Sequence, residues 1–348
     1  QTNKKTERPF SFFARPPSTR RHRSARRAAR RRRRRAYTVA HIWEGLARRT
    51  TPLTTRYTHT HAPMSRNTTA AVTCSDFGSP LDFEHFIQRP LSRPTLSFML
   101  RDSHLERLPA GAFADVSATS LELSNVTVES YEYAEEDNPF AGLRASVENV
   151  TFSGRSSLPA SWAIFSDLLS LHALVIFEAP GRLNLTRDFS LLPAGLRHVT
   201  VDTAQVGYVD DLWLATLVNL ESVTLRNTDV SELKRSMMPR PAAALRNLDL
   251  SHNQLTTLPA DFGEELPALR ELDLSHNRIS SLPEASLMPL QTSVTSARLE
   301  GNPLECNCGL QFLLRFPDIW RHASCAEPEA LRNTSLSEVS EGDLQCAA

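Results

Sequence analysis

Leucine, valine and isoleucine are not scattered along this chain; they return in a fixed phrase. Residues 245–258 read LRNLDLSHNQLTTL and residues 269–282 read LRELDLSHNRISSL. Written as L-x-x-L-x-L-x-x-N-x-L, the phrase extends downstream through Val294, Ala297, Leu299, Asn302 and Leu304. Upstream it continues in weaker copies starting at 220, 196, 171, 147, 118 and 95. The nine copies are spaced by 23, 29, 24, 25, 24, 25, 24 and 25 residues. Side chains alternate along a strand, so each L-x-L predicts a short strand with its apolar residues on one side. No single copy can bury those residues, whereas stacked copies share one core and one parallel sheet. Leu-Pro pairs after several copies (Leu108-Pro109, Leu258-Pro259, Leu282-Pro283) turn the chain back, and Phe113, Phe140, Phe262 and Leu287 are expected to fill the rear.

The period and phrase over about residues 95–305 resemble the leucine-rich repeat family. The resemblance implies an α/β solenoid: a leucine-rich repeat horseshoe with short parallel strands on the concave face and an irregular or 3-10 convex side. The family's asparagine, which satisfies backbone groups of the turn after the strand, is present at Asn253, Asn277 and Asn302. Earlier copies hold Ser103, Val126, Arg155, Ala179, Ala204 and Thr228 there. Their turns need other solutions, and the greatest irregularity is expected around 171–210.

The motif NPLECNC at 302–308, with Trp320, Cys325 and Cys346, resembles the cysteine-flanked C-terminal cap of extracellular members. That resemblance implies the pairs Cys306–Cys325 and Cys308–Cys346; four cysteines alone allow three connectivities. A zinc site is the alternative for these cysteines, although C-x-C lacks the usual two-residue gap. Cys74, in VTCS, resembles the last cysteine of an N-terminal cap but has no preceding partner. The organisation expected is a basic segment at 1–63, a partial N-terminal cap at 64–94, about nine repeats at 95–304 and a cysteine-rich cap at 305–348.

Charge divides the chain. Residues 1–63 carry 18 Lys and Arg against 2 acids, and residues 64–348 carry 21 against 37, so overall neutrality hides a +16 and a −16 part. The run Arg30–Arg35 reads in three ways: a polybasic ligand for nucleic acid or heparin, a disordered solvated tail, or translated non-coding sequence ahead of the first methionine, Met64. The acidic remainder would repel phosphate, which argues against nucleic acid as partner.

No run of 18 apolar residues is present, so a membrane would be reached only through an anchor outside this sequence. Five N-x-S/T triplets, at Asn67, Asn125, Asn149, Asn184 and Asn333, join the cysteine motif in favouring an extracellular, secreted or cell-surface location. No nucleophile, zinc-protease or phosphate-loop motif occurs, and Gly is scarce at 12 of 348. The expectation is a non-enzyme with no cofactor, no metal and no small-molecule substrate. Its partner would be a protein ligand or co-receptor.

Binding is expected on strand positions that face outward between the leucines. Asn125 and Asn149 fall on the early part of that face, where sugar would shield it. The ligand is therefore placed on the C-terminal half: Val175 and Phe177 as an apolar anchor, with Arg226, Asp249, His252, Arg270, Asp273, His276 and Arg298. Asp202, Ser251 and Ser275 are read as outward too. His252 and His276 recur in adjacent copies, about 5 Å apart by strand spacing. They are read as repeat filler, with a pH-sensitive or metal-binding patch as the sharper reading. The 29-residue step reflects an insertion, YEYAEEDNP at 131–139, expected to project as an acidic loop. The irregular early copies, with LRDSHLERLPAGAF at 100–113, are similar to arthropod secreted leucine-rich repeat proteins. That similarity implies a second reading, the non-catalytic, stabilising subunit of a secreted enzyme complex.

Overall fold

The computed structural model describes residues 70–87, 91–114, 116–344 and 346. The basic segment 1–63 and Asn67 lie outside the described residues. Ten parallel strands form one sheet: β1 (Ala70–Ser75), β2 (Leu91–Leu105), β3 (Val116–Val128), β4 (Asn149–Ser153), β5 (Ala173–Phe177), β7 (His198–Asp202), β9 (Ser222–Arg226), β10 (Asn247–Asp249), β11 (Glu271–Asp273) and β12 (Ser296–Arg298). Their spatial order is their chain order, as a coil repeated along one axis requires. The apolar pattern sets the register. Leu121, Val150, Leu174, Val199 and Val223 align strand by strand, and so do Leu123, Phe152, Ile176, Val201 and Leu225. All ten of these side chains are buried.

The sheet begins one strand earlier than the first copy read at 95. β1 pairs with β2 so that Cys74 aligns with Leu100, which aligns with Leu123. Cys74 thus occupies a leucine position of the core and has no disulfide partner among the described residues. Burial pushes its pKa up to about 11.

The irregularity expected at 171–210 takes a definite form. β6 (Arg182–Leu185) and β8 (Gln205–Val209) leave the main sheet and pair in parallel with each other. Behind the sheet, stacked rings supply the rear core of the N-terminal half. Phe83, Phe113, Phe140 and Phe165 follow one another with ring centroids 5.9, 5.5 and 4.9 Å apart, and Trp162, Phe189 and Trp213 continue the series. Such contacts add about 0.5–1.5 kcal/mol each beyond area burial. From Met237 onward the same place is taken by Met237, Phe262 and Leu287, all buried.

The acidic insertion does not project freely. The Tyr131 hydroxyl donates to the Ser157 carbonyl at 3.2 Å, and the Tyr133 hydroxyl accepts from the Leu108 amide at 2.8 Å. Asn138 donates to the Ile164 carbonyl at 2.8 Å. The two tyrosines rest half-buried against the coil because their rings are apolar and only their hydroxyls need a polar partner.

Each coil leaves its strand through a left-handed residue. Asp76, Asp102, Asn125, Gly154, Glu178, Thr203, Asn227, His252, His276 and Gly301 all have φ between 47° and 75°, and each lies two positions beyond the second apolar residue of its strand. Short polar residues and glycine tolerate this region best, which explains most of the column. Beneath it lies the asparagine ladder. Asn253 Oδ1 accepts from the amides of Thr228 and Val230 at 3.1 and 3.2 Å, while its Nδ2 donates to the carbonyls of Leu225 and Leu250. Asn277 and Asn302 repeat the arrangement.

Serines stand in for asparagine in two early coils. Ser103 Oγ accepts from the Phe77 amide and donates to the Arg101 carbonyl. In the coil that starts at 147 the work falls to Ser156, not Arg155. Its Oγ accepts from the Val126 amide at 3.0 Å and donates to the Leu123 carbonyl at 2.9 Å. Arg155 joins Gly154 in the left-handed turn, shifting the polar residue one place along.

At the N-terminal end Phe77 and Phe83 pack edge to face at 5.1 Å over the first coils. At the other end Cys306 bonds Cys325 and Cys308 bonds Cys346, and Trp320 is fully buried beneath the cap. Arg235 is buried as well, its guanidinium donating to the carbonyls of Glu264, Pro239 and Glu265. Desolvation holds its pKa below the usual guanidinium value.

Candidate functional site: the outer face of the sheet

Alternation along the strands turns every second residue away from the core, and the shared register lines these residues into columns. The column between the two apolar residues runs Glu122, Thr151, Val175, Thr200, Thr224, Asp249, Asp273 and Arg298. The next column runs Ser124, Ser153, Phe177, Asp202 and Arg226. The face therefore changes along the axis. Its middle is a shelf of Thr151, Val175, Thr200 and Thr224 with Phe177 beside it, all half-buried. Its C-terminal part is charged.

The residues expected to bind do not form one cluster. Val175, Asp249, Asp273 and Arg298 lie on the central column, and Phe177 and Arg226 on the adjacent one. Arg270 lies outside both. It precedes β11, and its Nη1 donates to the carbonyls of Pro267, Leu269 and Ser293 at 3.3, 2.9 and 3.2 Å, so it fastens the rim of the coil.

His252 and His276 are not strand residues. They belong to the left-handed column, where their exposed rings stack at 4.4 Å with an interplanar angle of 14°. Burial, then His276 and Arg226, hold the His252 pKa below the usual imidazole value. Among the described residues no group of three His, Cys, Asp or Glu side chains could hold a metal ion.

Ser251 and Ser275, read as outward, are buried. Each closes a tight loop onto the aspartate two residues earlier: Asp249 Oδ1 accepts from the Ser251 amide and hydroxyl at 2.9 and 2.6 Å, and Asp273 treats Ser275 alike. Asp202 is buried too, because Arg226 reaches back one strand to cover it, with Nε and Nη2 at 3.2 and 2.5 Å from Oδ2. This pairing raises the Arg226 pKa. Arg298 likewise donates to Asp273 at 3.0 Å, which raises its own. An Asp and an Arg spaced 24 or 25 residues apart in adjacent copies carried that signal in the sequence.

The potential glycosylation residues scatter. Asn125 sits in the left-handed column and donates to Asp102 at 2.9 Å, and Asn149 opens β4 half-buried. Asn184 lies exposed on β6, and Asn333 lies exposed in a turn of the C-terminal cap.

A family model described as Leucine rich repeat matches residues 243–304, the stretch in which the asparagine ladder is unbroken. No curated protein matches the chain. The repeated phrase, the parallel sheet in coil order and this match together show leucine-rich repeats at 243–304 within a fold that fits a leucine-rich repeat solenoid.

Proposed function

We propose that this chain is a secreted or cell-surface binding module that recognises a protein ligand through the concave, outer face of its C-terminal half. Leucine-rich repeat domains serve protein–protein interaction in general, and the finer placement rests on one observation. The shelf of Val175 and Phe177 stands half-exposed beside Arg226, which Asp202 holds in place, and at the far end of the same face Arg298 is held by Asp273. An apolar anchor beside charges held in place loses little side-chain entropy on binding, which favours recognition. Two disulfides in the C-terminal cap fit an oxidising compartment.

A photo-crosslinking residue at Thr200 tests the placement against one at Glu264 on the rear. Crosslinked protein partners recovered through Thr200, and lost with Phe177→Ala, support it. Equal recovery through Glu264, or indifference to Phe177→Ala, removes it.

A further inference from the structure

A cavity of about 660 Å³ lies between the last coil and the C-terminal cap. Glu300, His322, Ala323, Arg332, Asn333 and Ser335 help to line it. Hydrogen-bonding side chains dominate this wall. Arg332 is spent on the Ala326 carbonyl at 3.3 Å and on Glu327 at 3.1 Å. The amide group of Asn333 has no hydrogen-bond partner among the described residues, whereas that of Asn125 is tied to Asp102. Asn333 stands in a left-handed turn, φ 64°, its backbone held by a 2.8 Å bond from its amide to the Cys325 carbonyl. The side chain is thus presented from a rigid, exposed corner, and it forms part of the cavity wall.

We propose that Asn333, within Asn333-Thr334-Ser335, carries an N-linked oligosaccharide whose first sugars are seated in this cavity, a proposal that rests on the secretory reading above. The sugar donor is of the polyprenyl-diphosphate-linked class. Nδ2 of Asn333 bonds to the anomeric carbon as the carbon–oxygen bond to diphosphate breaks; the lipid diphosphate leaves, and the amide proton passes to a base of the transferring enzyme. A sugar ring offers hydroxyls on its rim and C–H groups on its faces. Glu300, Ser335 and His322 match the first, and Ala323 and the imidazole face match the second. Glu300 ends the outer face, since it lies two residues beyond Arg298, the last residue of β12. Sugar seated there closes the C-terminal end of that face. The protein footprint is then confined to the strands from β5 to β12.

The test uses the full chain from its native cells. Peptide mass spectrometry reads the Asn-to-Asp conversion at each sequon after glycan-releasing amidase, on native and on denatured protein. The expected result is an occupied Asn333 released readily only after denaturation, with Asn184, where occupied, released in both states. Hydrogen exchange at 323–327 should quicken in Asn333→Gln and also in Ser335→Ala, which keeps the asparagine while removing the acceptor motif. A bare Asn333 beside an occupied Asn184 overturns the proposal and leaves the secretory reading standing. Bare sequons throughout overturn both. An Asn333 glycan released as fast from native as from denatured protein, with exchange unchanged in the variants, places the sugar in solvent and overturns the seat.

Discussion

Arg226 of β9 covers the buried carboxylate of Asp202 on β7, with Nη2 2.5 Å and Nε 3.2 Å from one oxygen. The pair joins two coils across the outer face. The Asp202 side chain is only 7% exposed, and Arg226 is the cation paired with it, the Thr203 hydroxyl donating to its other oxygen. Removing the arginine strands it. Arg226→Ala should cost about 2–3 kcal/mol in denaturant unfolding, and Asp202→Asn less, because the amide still accepts a hydrogen bond. Equal and small losses in both would show that the pair does not hold the coils.

Asn253 satisfies two amides and one carbonyl of the preceding coil and one carbonyl of its own. Asn253→Ala leaves those groups buried and unpaired and should destabilise by about 3 kcal/mol or more. Ser156→Ala interrupts a shorter set of bonds and should cost about 1–3 kcal/mol. Unfolding midpoints of the two variants give the comparison.

The His252 pKa is depressed in the folded protein, chiefly by burial and then by His276 and Arg226, with Asp249 and Asp273 opposing. The unfolded chain therefore binds the proton more readily. Stability is fully present above the unfolded imidazole pKa and falls as pH drops through the folded one. Unfolding midpoints measured between pH 7.5 and pH 5 should decline with acidity, and His252→Gln should flatten that slope. A slope unchanged by His252→Gln would assign the acid sensitivity elsewhere.

Gly301 has φ 75°, and a Cβ there would lie 2.5 Å from His276 Nδ1. Gly301→Ala should cost roughly 1–2 kcal/mol for the left-handed backbone, with a further loss from displacing the ring. Adding His276→Ala should recover the second share and not the first. Full recovery in the double variant would deny the backbone cost.

The leucine phrase made the sheet legible, because a period of about 24 residues with L-x-L strands admits one stacking. It did not reveal β1, since Ala70–Ser75 offers Val72 and Cys74 where later coils offer leucines. Nor did it separate the serine turns from the strand face. Asp-Leu-Ser-His-Asn suggests continued alternation, yet β10 ends at Asp249, and the bond from Ser251 to Asp249 turns the serine inward and the histidine into a left-handed conformation. The same limit hid Ser156, because a Gly154-Arg155 turn displaces the polar residue by one place. The tyrosines of the acidic insertion were visible as residues; their anchorage on Ser157 and Leu108, in neighbouring coils, was not.

The left-handed column bears on how such a chain can change its length. Every coil ends its strand with its own Asp, Asn, Gly, Glu, Thr or His, and none borrows the turn of a neighbour. A tandem duplication or deletion of one whole period brings its closing residue with it. The strands on either side then meet a new neighbour of the same register, and the rest of the coil is undisturbed. Gains and losses of a partial period have no such protection, because they place a leucine where the column needs a left-handed residue. Inheritance in whole coils is thus the tolerated route by which this surface lengthens or contracts.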